Sequence, residues 1–384
     1  RPAERTRIAP RGATCAAPHD DHAPLSIAGL AARVARQAGR LTPPEPEMPP
    51  DPLSALLAAR PWVMADGATG TTLFNMGLSS GDPPEFWNLE RPGDIRTLYR
   101  GAVEAGSDLF LTNSFGGNAA RLTLHCAQGR VREINRAAAE IGREIADRAG
   151  RTVVVAGSVG PTGEIFAPMG TLTHAEAVDI FHEQAEGLKD GGADILWVET
   201  MSAPEEYRAA AEAARLVGMA WCGTMSFDTA GRTMMGVTSA ALVDLVEKLP
   251  TPPIAFGANC GVGASDLLRT CAGFLAQGTE RPVIAKGNAG IPKYHEGHIH
   301  YDGTPTLMAD YAVLARDLGV RIIGGCCGTT PDHLRAMRHA LETIPPGPRP
   351  TLETITERLG AFSSASDGTG AGAPDTRRER RRRG

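Results

Sequence analysis

The 384-residue chain is 42% hydrophobic and 22% charged, enough length and apolar content to bury one large α/β barrel or two mid-sized domains. Its formal charge of −5 is unevenly spread, because the last eight residues, RRERRRRG, hold six arginines and one glutamate; the more acidic body excludes nucleic acid as the main partner. Seven cysteines are too sparse for a disulfide framework, and no signal peptide or bilayer-length apolar run stands out, so a reduced, cytoplasmic compartment without membrane contact is expected.

Residues 1–50 are rich in Ala, Pro and Arg and run into LTPPEPEMPPDP. Such a composition cannot easily offset the entropy of ordering, so a disordered extension is expected. Within it, LSIAGLAARVARQAG has the spacing of a short amphipathic helix. The chain begins at Arg1, and Met48 is the candidate start.

From residue 51 to 345 eight short, β-branched apolar runs recur: WVMADGA (62–68), DLFLTNSF (108–115), TVVVAGSVG (152–160), ADILWVET (193–200), AWCGTMSF (220–227), PIAFGANC (253–260), RPVIAKGN (281–288) and VRIIGGCC (320–327). Segments of helical spacing separate them, among them VREINRAAAEIGREIADRAG. Continuous apolar strands alternating with amphipathic helices imply a parallel sheet buried on both faces. Eight units over roughly 280 residues match an α/β fold of the (β/α)8 TIM-barrel type, flanked by disordered N- and C-terminal tails. Residues 346–384, low in complexity and ending in arginines, are read as the second tail.

Polar and glycine-rich residues gather at the C-terminal ends of these runs: Asp66 and Gly67, Asn113 and Ser114, Glu199 and Thr200, Asn259 and Cys260, Asn288, and Cys326 with Cys327. Active sites of such barrels form at that rim. Runs six and eight have only run seven between them, so Cys260, Cys326 and Cys327 can face one cavity. The glycines around them are expected to let the backbone turn sharply and aim neighbouring thiols inward. Three thiolates with an open fourth position suit a catalytic zinc ion. Core packing and a redox pair are the competing readings, although the usual Cys-X-X-Cys spacing is missing. Cys126, Cys222 and Cys271 read as packing cysteines.

The pair GANCG and GGCCGTTPDH resembles the homocysteine S-methyltransferase family, with DGATGT, LTNSFGGN, GPTGE, VETMS, TMSFD and NAGIP agreeing in order over residues 60–343. The resemblance is closest to short bacterial betaine–homocysteine methyltransferases and to the homocysteine module of cobalamin-dependent methionine synthase. It implies a zinc-containing (β/α)8 barrel that moves a methyl group onto the thiol of homocysteine, forming methionine. Cys260, Cys326 and Cys327 would hold the zinc. Glu199 would take the substrate ammonium, Asp66 and Gly67 would form the first substrate loop, and Thr112 would contact substrate from the second; Asn288, at the end of the seventh run, either orients ligands or satisfies loop backbone. Glycine betaine is the favoured methyl donor, with S-methylmethionine, another sulfonium or a separate corrinoid protein as alternatives. Trp87, Phe115 and Trp197 are the aromatics available to a trimethylammonium group, and betaine enzymes of this kind are compatible with a homo-oligomer. His295, His298 and His300 read as loop residues rather than a second metal site, and GSVGPTG lacks the acidic residue of a dinucleotide loop.

Overall fold

A computed structural model describes residues 51–295 and 298–369, with the backbone alone described for 292–295 and 298–300. The amphipathic segment before residue 50 and the three loop histidines' side chains lie outside the described residues. Asp51 opens the ordered chain by capping the helix Pro52–Ala59, its carboxylate accepting from the Ser54 amide. Pro52 at the first helical position lacks only an N–H that would be unpaired anyway.

The strands are β1 (Val63–Met64), β2 (Leu109–Leu111), β3 (Val154–Val159), β4 (Ile195–Met201), β5 (Trp221–Met225), β6 (Ala255–Cys260), β7 (Val283–Gly287), β8 (Pro292–His295), β9 (His298–Tyr301) and β10 (Ile322–Gly325). Eight of them form one parallel sheet in the order β1-β10-β7-β6-β5-β4-β3-β2, while β8 and β9 make an antiparallel hairpin. All eight expected strands are therefore present, and helices alternate with them in a (β/α)8 barrel. The hairpin was not foreseen; it is inserted between β7 and the helix Pro305–Leu318.

The ladder is missing between β1 and β2, and one backbone bond and two carboxylates join that seam. The Asp108 amide donates to the Met64 carbonyl at 2.7 Å and its carboxylate accepts from the Met64 amide at 3.0 Å. Higher up, the Asp66 carboxylate accepts from the Leu111 amide at 2.9 Å. Inside the barrel Val63, Leu109, Val154, Ile195, Trp197, Ile284 and Ile322 form a packed core, closed at the N-terminal end by Leu53, Leu56 and Leu57 of the first helix. Outside it, each helix buries an apolar stripe against the strands, as Ile134, Ala138, Ile141 and Ile145 do on the helix Val131–Asp147.

The expectation of a tail from residue 346 is corrected for the part described. Leu352–Leu359 is a helix capped by Thr351, with Ile355 and Leu359 buried at i, i+4 spacing. Beyond it Phe362 lies under the Arg269 guanidinium at 4.3 Å, and the Ser363 amide donates to Asp266. Three apolar side chains in a short window were enough to dock a segment that composition marked as unstructured. Among the described residues no helix is long and apolar enough to cross a membrane.

Candidate metal centre

Cys260 is the last residue of β6, and Cys326 and Cys327 follow directly on β10. The three Sγ atoms lie within 4.8 Å of one another, with Cys260 and Cys327 3.9 Å apart. Tetrahedral zinc with bonds of about 2.3 Å requires sulfurs roughly 3.8 Å apart, so the trio fits such an ion with little movement. The donor set is soft and thiolate-only, the chemistry that favours zinc over the hard cations. Cys260 reaches the cluster through a left-handed backbone (φ 59°), followed by Gly261 at φ 70°. Hydrogen bonds from Cys260 and then Cys326 hold the Cys327 thiol well below the ordinary thiol range, and the Tyr301 hydroxyl adds to the effect.

The glycine fence has a different cause from the sharp turn expected. A Cβ on Gly324 would lie 2.7 Å from the Ala65 Cβ, 3.0 Å from the Asp66 carbonyl oxygen and 3.2 Å from Lys286 Cγ. On Gly325 it would overlap the Thr329 side chain. Only Gly328 takes a positive φ, 78°, and there the Tyr301 ring packs onto the bare backbone. The first two glycines thus make room for neighbours, and the third alone supplies conformational freedom.

Two asparagines tie the cysteine-bearing loops together. Asn288, 1% exposed, accepts from the Cys327 amide at 3.1 Å and donates to the Gly261 carbonyl at 3.1 Å. It therefore links the loop after β6 to the loop after β10. Asn259 accepts from the Thr200 amide and the Thr224 hydroxyl, at 2.9 and 2.7 Å, and its amide donates to Thr200 Oγ1 at 2.8 Å. That same amide group points at Cys326 Sγ, 3.9 Å away. Hydrogen bonds of this kind fix ligand orientation and temper the charge on a metal-bound sulfur.

Beside the thiols lies a buried charge cluster. The β4–β5 register shifts between Val198 and Met201, and Thr200 takes φ 62°, so Glu199 sits on a bulge that aims it into the barrel. Its carboxylate accepts from the Ser158 hydroxyl at 2.5 Å. Burial pushes its pKa up to about 7, against the pull of the Lys286 charge. Lys286 Nζ is 2.5 Å from Asp66 Oδ1, both side chains being almost wholly buried. Burial works against the lysine's charge, yet Asp66 and Glu199 outweigh it and its pKa is raised. Burial raises the Asp66 pKa too, with Lys286 opposing.

Of the other residues singled out from sequence, Gly67 packs against the Thr329 carbonyl, where a Cβ would lie at 2.7 Å. Thr112 is buried, its hydroxyl accepting from the Ser158 amide at 3.0 Å and sharing a hydrogen bond with Ser114. Trp197 is fully buried, Trp87 is stacked under the Arg91 guanidinium at 3.8 Å, and Phe115 is half-buried against Gly160. Cys222 and Cys271 are fully buried, as packing cysteines should be, but Cys126 is exposed. Sequence reasoning placed Asn259 at the rim beside Cys260 without giving it a role, and it missed Lys286, Ser158 and Tyr301. A lysine inside the otherwise apolar run RPVIAKGN was the available signal for the first of these.

A family model described as homocysteine S-methyltransferase matches residues 63–341. The methionine synthase of Mycobacterium tuberculosis is 31% identical over 299 residues, covering 73% of this chain and 25% of the relative. That of Mycobacterium leprae is 30% identical over 309 residues, covering 75% and 25%. The chain thus spans about a quarter of the length of these curated relatives. Among solved structures, the oxidized form of the Escherichia coli homocysteine methyltransferase MmuM superposes with a TM-score of 0.62 at 25% identity, covering 76% of this chain and 99% of that one. A metallated form of the same enzyme gives the same TM-score and identity, covering 75% and 99%. With the barrel, the three converging thiols and a family match over nearly the whole barrel, the chain belongs to the homocysteine S-methyltransferase family.

Proposed function

We propose that this chain transfers a methyl group to the sulfur of homocysteine, forming methionine, with zinc held by Cys260, Cys326 and Cys327. The observation that carries the reading is the convergence of three sulfurs at tetrahedral-edge spacing on the C-terminal rim. Zinc bound there supplies a Lewis acid that keeps a substrate thiol deprotonated and nucleophilic at neutral pH. The protein's own groups do the rest. Glu199 takes the ammonium of homocysteine; Asp66, Gly67 and Thr112 form the wall facing its amino-acid end; Asn288 holds the Cys327 backbone in register with Gly261. Each oxygen of Asp66 keeps a second lone pair after pairing with Lys286 and Leu111.

Glycine betaine is the donor carried forward from the sequence. Against it, Trp87 is covered by Arg91 and Trp197 is buried, leaving Tyr301 beside Cys327 and the half-buried Phe115 as the described aromatics for a trimethylammonium group. The similarity to methionine synthases favours a second reading, in which the barrel is a homocysteine module that receives its methyl group from a separate corrinoid protein; a sulfonium such as S-methylmethionine is the third source.

The test is to incubate zinc-loaded protein and homocysteine with betaine, S-methylmethionine and methylcobalamin in separate reactions and to measure methionine. Methionine with betaine supports the first donor. Methionine only with a sulfonium or methylcobalamin reassigns the donor. No methionine with any of the three, in protein carrying one zinc per chain, refutes the proposed activity.

A further inference from the structure

Lys286 stands near the C-terminal end of β7 with a side chain only 3% exposed. Its ammonium bonds Asp66 on β1 and faces Glu199 on β4 and Cys326 after β10. The Trp197 ring lies 5.7 Å beneath it. Cys326 and Cys327 are further titrating groups whose charges reach Glu199, and the Tyr99 hydroxyl meets the charge of Asp66. Gly324 leaves the space through which the lysine stem passes, since a Cβ there would press on Lys286 Cγ and on the Asp66 backbone. Two carboxylates confined to one dry space repel, and one of them takes up a proton unless a cation stands with them. Two anions with one ammonium leave a single net negative charge, which one substrate ammonium neutralises.

We propose that Lys286 is a positioning and specificity-determining residue, a buried counter-cation that keeps Asp66 and Glu199 ionised together and so selects a thiol carrying an α-ammonium group over one without it. The inference rests on the assignment of Glu199 to the substrate ammonium. A purely structural salt bridge would be replaceable by packed neutral side chains of similar volume; removing one anion along with a counter-cation restores only part of its effect, because the pull of Lys286 on Glu199 exceeds the push of Asp66.

The experiment compares zinc-loaded wild type with Lys286→Met, Lys286→Arg and the double variant Asp66→Asn/Lys286→Met. Homocysteine and 4-mercaptobutyrate, which lacks the ammonium, are titrated calorimetrically from pH 6 to 9, and zinc per chain is measured alongside. Lys286→Met is expected to keep its zinc and to lose about tenfold in homocysteine affinity at pH 7, a loss that shrinks as the pH rises toward 9. Its preference for homocysteine over 4-mercaptobutyrate narrows, and Lys286→Arg restores part of it. The double variant, again with one net negative charge, has its acidic limb between those of wild type and the single variant. Should the single variant fail to fold, the double variant's limb against wild type decides alone: a shift to higher pH supports the role and no shift overturns it. An affinity loss equal at every pH, or none, also overturns it. Wild type that binds no homocysteine at any pH refutes the assignment on which the inference stands.

Discussion

Glu199 gives the sharpest pH test of the proposed substrate pocket. Its carboxyl is 9% exposed and titrates near pH 7 in the free protein, burial being the main cause. Only the carboxylate can pair with an ammonium, so kcat/KM for homocysteine should climb through that pH. With a pKa of about 7, about nine-tenths of the group is ionised at pH 8 and about one-tenth at pH 6, giving a drop of about tenfold. Glu199→Gln keeps the shape and the Ser158 contact but removes the charge. A charged hydrogen bond contributes about 1.5–3 kcal/mol, so kcat/KM at pH 8 should fall roughly 10- to 150-fold and lose its acidic limb. Ionisations of homocysteine itself are common to both proteins and cancel in the ratio. The same titration enters stability with the opposite sign: the raised pKa means the folded chain holds a proton that the unfolded chain releases between about pH 4.5 and 7. Glu199's contribution to metal-free stability therefore falls over that window by about 3 kcal/mol, and that share of the fall should be missing in Glu199→Gln. The assay is initial rate against homocysteine at half-unit pH steps, paired with urea unfolding of the metal-free protein. An acidic limb of equal height in wild type and Glu199→Gln would refute the reasoning.

Cys326→Ala should leave fewer than 0.1 zinc per chain, on the order of a thousandfold weaker binding, because two thiolates cannot close the site; stoichiometric metal by elemental analysis would remove the proposed centre. Gly324→Ala should destabilise the fold by about 1–3 kcal/mol in urea unfolding, since its new methyl meets a β-carbon and a backbone oxygen that cannot swing aside. An unchanged midpoint would show that the β1–β10 contact relaxes more easily than its packing implies. Asp108→Ala should cost about 3–5 kcal/mol, because Asp108 bridges the open β1–β2 seam and neutralises Arg60, Arg151 and Arg338 around it. A loss below 1 kcal/mol would mean that the backbone bond from residue 108 to Met64 and the Asp66–Leu111 bond hold the seam without the Asp108 carboxylate.

The sequence by itself determined the eight strands, because runs buried on both faces must be continuously apolar and the helices between them must carry one apolar stripe. It also determined the three thiols, since residues at the ends of β6 and β10 meet over one rim in any barrel of this order. It misjudged residues 346–369, where a few apolar side chains at helical spacing outweighed a low-complexity composition. What only the tertiary structure decided is the partnership of residues far apart in the chain. Lys286 finds Asp66 past the intervening β10, Asn259 gathers Thr200 and Thr224, and Tyr301 arrives on an inserted hairpin to pack on Gly328. The glycines of GGCC could not be explained from their own neighbourhood either, because Ala65, Lys286 and Thr329 set their size from the next strand or loop. Strand periodicity is written locally; closure of a barrel is not, and the charges at this site acquire their partners only when the barrel closes.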